Sequence, residues 1–359
     1  MRAAAIKILI VDDSRLVAAM LRRTLEEESD FEVTGIASTG AQARELIQAL
    51  RPDVVVLDVI LPDMSGLQLL QEYMSSHPIP TVVLSAHGQR QSQTTLDAFA
   101  LGALTVLEKP TPHGEEASAV TRRLIAAIRE ASVATVTKTR ATSGAMNERA
   151  PRKRVVSQSD RVKWGNRLVA IGVSTGGVTA LERMMPLFPD VVPPILILAH
   201  MPKGFTKGLA EQLSRLTPNP VIEAQDGMPI EVGKMYLAPA GEHHMVILNR
   251  SDGLHVQLRS GERVSGHRPS VNVLFESLAS LPPLGWRVAS ALLTGMGDDG
   301  AQGMKRLREA GGRTIAQDER SSVVFGMPRA AIAMAAAEGA LPLDEIPDWL
   351  IGALARKRA

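Results

Sequence analysis

From residue 6 to about 128, short aliphatic runs alternate with longer segments whose apolar positions recur every three or four residues. IKILIV (6–11), FEVTGIA (31–37), DVVVLD (53–58), PTVVLSA (80–86) and ALTVLE (103–108) read as strands; SRLVAAMLRRTLEEE and GAQARELIQAL have helical period. Strands apolar on both faces and separated by helices predict a doubly wound, parallel, five-stranded sheet. Reactive or binding groups then gather beyond the strands' carboxyl ends. Between about 129 and 164 the alternation stops. TVTKTRATSGAMNERAPRKRVVSQSDRVK is polar, rich in Lys and Arg, and reads as a flexible basic linker. Its charge serves either solubility or attraction to an acidic partner.

A second alternation starts near Gly165. It predicts strands at 168–173, 194–199, 234–238, 244–249, 254–259, 287–293 and 312–316, and helices at 177–187, 204–216, 270–280, 300–310 and 327–337. RSDGLH (250–255) reads as a hairpin turn, which predicts a mixed though mainly parallel sheet. The expected organisation is therefore two α/β domains, 1–128 and 165–359, joined by the linker.

Composition removes several classes. A length of 359 residues suits two domains of about 100–200 residues each. With 45% hydrophobic and 22% charged residues the chain is of globular type, and 3% aromatics leave the cores to Ala, Val, Leu, Ile and Met. The absence of cysteine excludes disulfides, a thiol nucleophile and thiolate metal sites, and suits a reducing cytoplasm. MRAAAIKILIVDD lacks the apolar length of a signal peptide, and no run approaches the roughly 18 apolar residues of a membrane span. A cytoplasmic location is expected. A net charge of +2 says little about nucleic acid, and no such partner is expected.

Candidate chemistry in the first half lies at the strand ends. VDDS puts Asp12 and Asp13 after the first strand, and VVVLDV puts Asp58 at the end of the third. In a doubly wound sheet these ends are neighbours. Three converging carboxylates repel one another unless a hard cation is present, and Mg²⁺ suits oxygen ligands. Ser85 and Lys109, at the ends of the fourth and fifth strands, offer a hydroxyl and an ammonium to the oxygens of a phosphoryl group on Asp58. Any one of these residues could be a helix cap or a turn residue; five at five expected positions point to a site. Residues 1–128 resemble a receiver domain of a two-component response regulator. The resemblance implies phosphorylation of Asp58 by a sensor histidine kinase, Mg²⁺ held by Asp12, Asp13 and Asp58, and phosphate sensing by Ser85 and Lys109. Two positions depart from the pattern: Val106 stands where many receivers carry Tyr or Phe, and Ile60 where a backbone carbonyl usually completes the metal site.

In the second half, VAIGVSTGG (169–177) runs from a predicted strand into a predicted helix. Ser174 at that turn sits near a helix N-terminus, where N–H groups and the dipole favour a developing anion. Alone, the motif fits a nucleophile elbow or a glycine-rich phosphate loop. It lacks the Lys-Ser/Thr of a Walker motif and the G-x-G-x-x-G of a dinucleotide site. A serine nucleophile needs a base, and the base an orienting carboxylate. ILILAHMP ends a strand with His200, and ASALLTGMGDDGA ends another with Asp298 and Asp299. The order Ser, His, Asp differs from that of α/β-hydrolases, which argues against that fold and leaves the chemistry untouched.

Residues 168–337 resemble the catalytic domain of CheB-type protein-glutamate methylesterases of bacterial chemotaxis, through IGVSTGG, AHMPKGF, LAPAGEHHM, SGHRPSVNVLF, LLTGMGDDGAQGM and AQDERSSVVFGMPRAAI. The resemblance implies Ser174 as nucleophile, His200 as base, Asp299 as orienting carboxylate, and backbone N–H groups of Thr175 and Met296 as the oxyanion hole. No cofactor is expected in this domain. Asn272 departs from the family's usual Asp. The implied substrates are methyl-accepting chemoreceptors, which the protein meets as a peripheral enzyme. Phosphorylation is expected to relieve a receiver that covers the cleft. A rival reading, a phosphorylation-gated binding module, is opposed by the filled triad positions. Among the remaining residues, adjacent His243 and His244 point apart on a strand, against a shared metal. His267 and Arg268 either line the cleft or serve the fold.

Overall fold

The apolar runs pair as strands because both their faces are buried: Ile8 to Val11 and Val54 to Leu57 are almost wholly inaccessible to solvent. The computed structural model describes residues 5–85, 92–109, 115–134, 157, 159, 164–281 and 287–355. It divides into two units, Met1–Met146 and Asn147–Ala359. Most of the predicted linker lies outside the described residues.

The first unit alternates β1 (Ile6–Val11), α1 (Arg15–Glu26), β2 (Phe31–Ala37), α2 (Gly40–Leu50), β3 (Val54–Asp58), α3 (Gly66–Ser76), β4 (Thr81–Ser85), α4 (Ser92–Ala100), β5 (Thr105–Glu108) and α5 (Glu115–Ser132). The strands form one parallel sheet in the order β2-β1-β3-β4-β5, as expected. Local sequence sets the helix starts: Ser14 and Thr39 cap α1 and α2 with their hydroxyls, and Ser65 with Gln68 forms a capping box on α3. Helix α5 continues to Ser132. There Arg129 holds Glu28 and Asp30 at 2.6 and 2.8 Å and lies over the Phe31 ring.

The second unit contains β6 (Arg167–Val173), α6 (Gly177–Met184), β7 (Ile195–Ala199), α7 (Thr206–Ser214), β8 (Val221–Glu223), β9 (Met235–Leu237), β10 (His243–Arg250), β11 (Gly253–Ser260), α8 (Val271–Ala279), β12 (Arg287–Leu292), α9 (Ala301–Glu309), β13 (Arg313–Gln317), α10 (Met327–Ala333), β14 (Ala340–Leu341) and α11 (Ile346–Ala355). Seven strands form a sheet in the order β14-β13-β12-β6-β7-β9-β8, parallel at every pairing.

The predicted hairpin exists but does not enter this sheet, so the sheet is not mixed. β10 and β11 pair antiparallel with each other over all eight residues. The reason is an occupied edge: β9 is flanked by β7 on one side and by β8, a three-residue strand the periodicity missed, on the other. The hairpin instead turns Met245, Ile247, Leu254 and Val256 into the core shared with Leu274 and Phe275 of α8.

Both sheets have one place where successive connections leave in opposite directions. It lies between β1 and β3 in the first unit and between β6 and β12 in the second. Such switch points open a crevice beyond the strand ends.

Candidate functional sites

At the β1/β3 crevice, Asp12, Asp13 and Asp58 bring carboxylate oxygens within 4.8 Å of one another. Asp12 and Asp58 are buried and Asp13 is exposed. Lys109 stands just past β5 with Nζ 2.6 Å from Asp58 Oδ2, to which it donates. Asp12 Oδ2 forms a buried ion pair with the same Nζ at 2.8 Å. Burial raises the Asp58 pKa above its ordinary value; the Lys109 hydrogen bond only partly offsets this, and the Asp12 charge adds to it. Burial works to lower the Lys109 pKa, but its attraction to Asp12 and Asp58 outweighs burial and raises it. Ser85 is buried at the end of β4, where its carbonyl accepts the Lys109 N–H at 2.9 Å. An all-oxygen cluster of three carboxylates, two of them buried, fits a hard dication. Val106 is buried in β5, and Ile60 is exposed, its N–H 3.3 Å from Asp58 Oδ1.

At the β6/β12 crevice, Ser174 follows β6 directly. Its N–H donates to Thr294 O at 3.0 Å, and its carbonyl accepts from Gly177 N at 2.8 Å. Gly176 turns the chain into α6 at φ +78°, a conformation that suits glycine. The loop after β12 presses against the serine: a Cβ on Gly295 would stand 2.6 Å from Ser174 Cβ. Met296, the next residue of that loop, is exposed. Thr294 ties the two loops together, because its hydroxyl also donates to Thr175 O at 2.9 Å.

His200, at the end of β7, is fixed by its N–H on Val173 O at 3.0 Å. Its Nε2 lies 2.9 Å from Asp299 Oδ2. Asp299 also accepts from Ser270 Oγ at 2.6 Å, Val271 N at 2.7 Å and Asn272 N at 3.1 Å. The last two N–H groups open helix α8, so a carboxylate from the β12–α9 loop does for α8 what an N-cap side chain usually does. Burial pushes the Asp299 pKa up, but the His200 hydrogen bond and charge, with the Ser270 and Val271 donors, outweigh it and hold it below the ordinary 3.8. An ionised Asp299 requires a donor at Nε2, which leaves the lone pair of neutral His200 on Nδ1. That Nδ1 is buried with no hydrogen-bond partner among the described residues. Asp298 is exposed.

Several contacts of this site escaped sequence reasoning. Ser270, read as the start of a helix, binds Asp299. His244 accepts the Ser270 N–H on Nδ1 at 3.2 Å and so donates from Nε2 to Glu262 O at 2.8 Å. His243, its neighbour, is exposed, as strand alternation requires. His267 lies flat on His200. Asn272 links two loops, since its Oδ1 accepts Gly303 N at 2.7 Å and its Nδ2 donates to Ser265 Oγ at 3.3 Å. The predicted helix at 270–280 carried no signal for these cross-loop partners.

The CheB methylesterase family profile matches residues 169–350, half of the chain, and the response regulator receiver domain profile matches residues 8–121. The chain belongs to the CheB methylesterase family. Similar full-length relatives carry both domains' length. A Caulobacter vibrioides protein named protein-glutamate methylesterase/protein-glutamine glutaminase 1 is 39% identical over 99% of this chain and 100% of its own. A Cereibacter sphaeroides protein named protein-glutamate methylesterase/protein-glutamine glutaminase 2 is 42% identical over 98% of this chain and 93% of its own. Among solved structures, the Thermotoga maritima CheB methylesterase catalytic domain aligns with 35% identity and a TM-score of 0.50, covering 52% of this chain and 98% of that one. The family drawn from the sequence motifs is thus the family found. Among the described residues no helix is long and apolar enough to cross a membrane.

Proposed function

We propose that this CheB-family protein hydrolyses glutamate γ-methyl esters on chemoreceptors, releasing methanol, and deamidates receptor glutamines through the same intermediate. The single observation that carries the reading is the His200–Asp299 pair, which leaves a buried lone pair on Nδ1 at the crevice holding Ser174.

In this reading Ser174 Oγ attacks the ester carbonyl while its proton passes to His200 Nδ1. Asp299 keeps Nε2 protonated and stabilises the imidazolium that forms. The N–H groups of Thr175 and Met296 receive the oxyanion. Collapse expels methoxide, which takes the proton from His200 and leaves as methanol. Water, deprotonated by the same nitrogen, then cleaves the acyl-serine to glutamate. With a glutamine substrate the leaving group is ammonia.

The receiver unit is the control element. A sensor histidine kinase of the chemotaxis system supplies the phosphoryl group to Asp58, and Ser85 and Lys109 contact its oxygens. Asp12, Asp13 and Asp58 would hold Mg²⁺, which when bound offsets the phosphoryl charge. The raised Asp58 pKa and the convergence of three carboxylates within 4.8 Å support a pocket that gains from added positive charge. The enzyme works in the cytoplasm on the receptors' signalling helices, as a peripheral visitor to the membrane.

The test is methanol release from methyl-labelled receptor, with and without acetyl phosphate and Mg²⁺. Ser174→Ala should abolish release in both conditions. Asp58→Asn should keep basal release, take up no phosphoryl label and ignore the phosphodonor. Release by Ser174→Ala, or label persisting on Asp58→Asn, sinks the corresponding half of the reading.

A further inference from the structure

The imidazole of His267 stacks on that of His200 with ring centroids 3.7 Å apart and planes within 1° of parallel. His267 comes from the β11–α8 loop. Its backbone pairs with Val264 in both directions, His267 N to Val264 O at 2.9 Å and Val264 N to His267 O at 3.0 Å, which fixes where the ring stands. His200 itself has few constraints. Asp299 holds one ring nitrogen, and a single hydrogen bond still lets a ring tilt about its axis. The stacked ring removes that tilt.

We infer that His267 is a positioning residue for the general base: its ring holds the plane of His200 with Nδ1 toward Ser174, and does so only while His267 is neutral. The inference rests on the reading of Ser174 and His200 as nucleophile and base. Two consequences follow from the contact. A neutral ring lends its π-face to the imidazolium that forms on His200 during the reaction. A protonated His267 would instead place a second cation against it, and like charges in contact disfavour each other's ionised form.

Asp299 faces His200, and Asp298 on the same loop is exposed. On the β11–α8 loop, Arg268 donates to Gly261 O at 2.8 Å, Arg263 to Gly266 O at 3.3 Å, and Glu262 is exposed. Lys203, three residues after His200, pairs with Glu242 at 2.9 Å on the surface. On β10, His244 is locked by Ser270 and Glu262, and His243 is exposed. None of these stacks on His200, so His267 is the ring whose protonation His200 feels across its face.

The experiment measures kcat and KM for methanol release from methylated receptor across pH, for the parent, His267→Phe and His267→Ala, with Ser174→Ala as control. Phenylalanine keeps a flat ring and removes the proton. It should retain kcat within about threefold at high pH, and the acid limb of its kcat/KM profile should move to lower pH, because no proton on residue 267 then disturbs the base. Alanine removes the stack and should lower kcat about 10- to 100-fold at every pH with KM little changed, the scale of a misplaced catalytic group. A role confined to the fold would give no rescue by Phe and no movement of the acid limb. Profiles of both variants superimposable on the parent's, or Phe as damaging as Ala, overturn the inference while an inactive Ser174→Ala leaves the serine reading standing. An active Ser174→Ala overturns both. Should His267→Ala fail to fold, the acid limb of His267→Phe against the parent decides.

Discussion

Asp58 and Asp299 are both buried carboxylates at a sheet's switch point, 4% and 1% exposed, yet their surroundings push them in opposite directions. Asp58 has Lys109 and one long contact from Ile60 N, with the charge of Asp12 beside it, and burial prevails. Asp299 has four donors, two of them at the start of a helix, and these together with the His200 charge prevail. The difference matches the roles proposed for them. A carboxylate that is to form a bond must keep an oxygen accessible to its reaction partner and cannot be saturated with donors. A carboxylate that only orients a base works best when every lone pair is used, because its position is then fixed from several sides. Burial alone thus says little about a carboxylate's role; the count and kind of its donors say more.

The largest expected effect breaks the Asp299 side of this contrast. Asp299→Asn keeps the shape but offers an amide that can donate to Nε2, which would move the His200 proton onto Nδ1. By analogy with the serine-protease triad, methanol release should fall by up to roughly 10⁴-fold. The neighbouring Asp298→Asn, exposed, should stay within about threefold, since surface changes away from such networks are small. If steady-state assays find Asp298→Asn the more damaging, the orienting carboxylate has been misassigned.

The two sites were unequally legible in the sequence. The Asp12, Asp13, Asp58, Ser85 and Lys109 set could be read because each follows an apolar strand, and a parallel sheet aligns strand ends by construction. Ser174, His200 and Asp299 were legible for the same reason. What could not be read are the groups reaching the site from elsewhere. Ser270 and His244, and the stacking of His267 that the sequence left open between cleft and fold, arrive through the β10–β11 hairpin and the loop after it, whose position depends on which sheet edge is free. That edge was filled by β8, three residues long, and the far edge by β14, two residues long. Neither is long enough to show a period. Thr294 lay in a motif already quoted, yet its link from Ser174 N to Thr175 O needs the close approach that Gly295 permits.

A second prediction sharpens the contrast through stability. Folding lowers the Asp299 pKa, so this group contributes stability above its unfolded value near 3.8 that is lost as pH falls through the folded value. Folding raises the Asp58 pKa, so ionised Asp58 costs stability above its folded value, and the cost disappears as pH falls toward 3.8. Calorimetry of the full chain without Mg²⁺ should therefore show opposite signs at pH 7. Asp299→Asn should lower the melting temperature of its unit and Asp58→Asn should raise that of the other, by about 2–4 °C for each kcal/mol in a domain of this size. Both differences should shrink below about pH 4, where carboxylates protonate. Shifts of the same sign in both variants would remove the distinction between the sites.

The smallest effect concerns Asn272, whose N–H reaches Asp299 and whose side chain accepts Gly303 N. If donors, and not nearby charge, decide how Asp299 behaves, a second carboxylate close by should matter little. Asn272→Asp tests this with minimal change of shape. Its Oδ1 can still accept from Gly303 in the first turn of α9, where a negative charge is favoured by the helix dipole. The bond from Nδ2 to Ser265 Oγ is lost as written, but the serine hydroxyl can turn and donate in its place. The backbone N–H to Asp299 is unaffected. The added charge acts on Asp299 through a site already saturated with donors. Release of methanol should stay within about threefold of the parent, and the melting temperature within about 2 °C, in keeping with a residue whose hydrogen bonds survive exchange. Asn272→Leu, which leaves Gly303 N without its acceptor, should be clearly less stable, by about 1–3 kcal/mol. The order Asn, Asp, then Leu is what a positional role requires. If Asn272→Asp instead loses activity on the scale of Asp299→Asn while keeping its melting temperature, charge near Asp299 governs the base, and the donor-count explanation of the two carboxylates has to be given up.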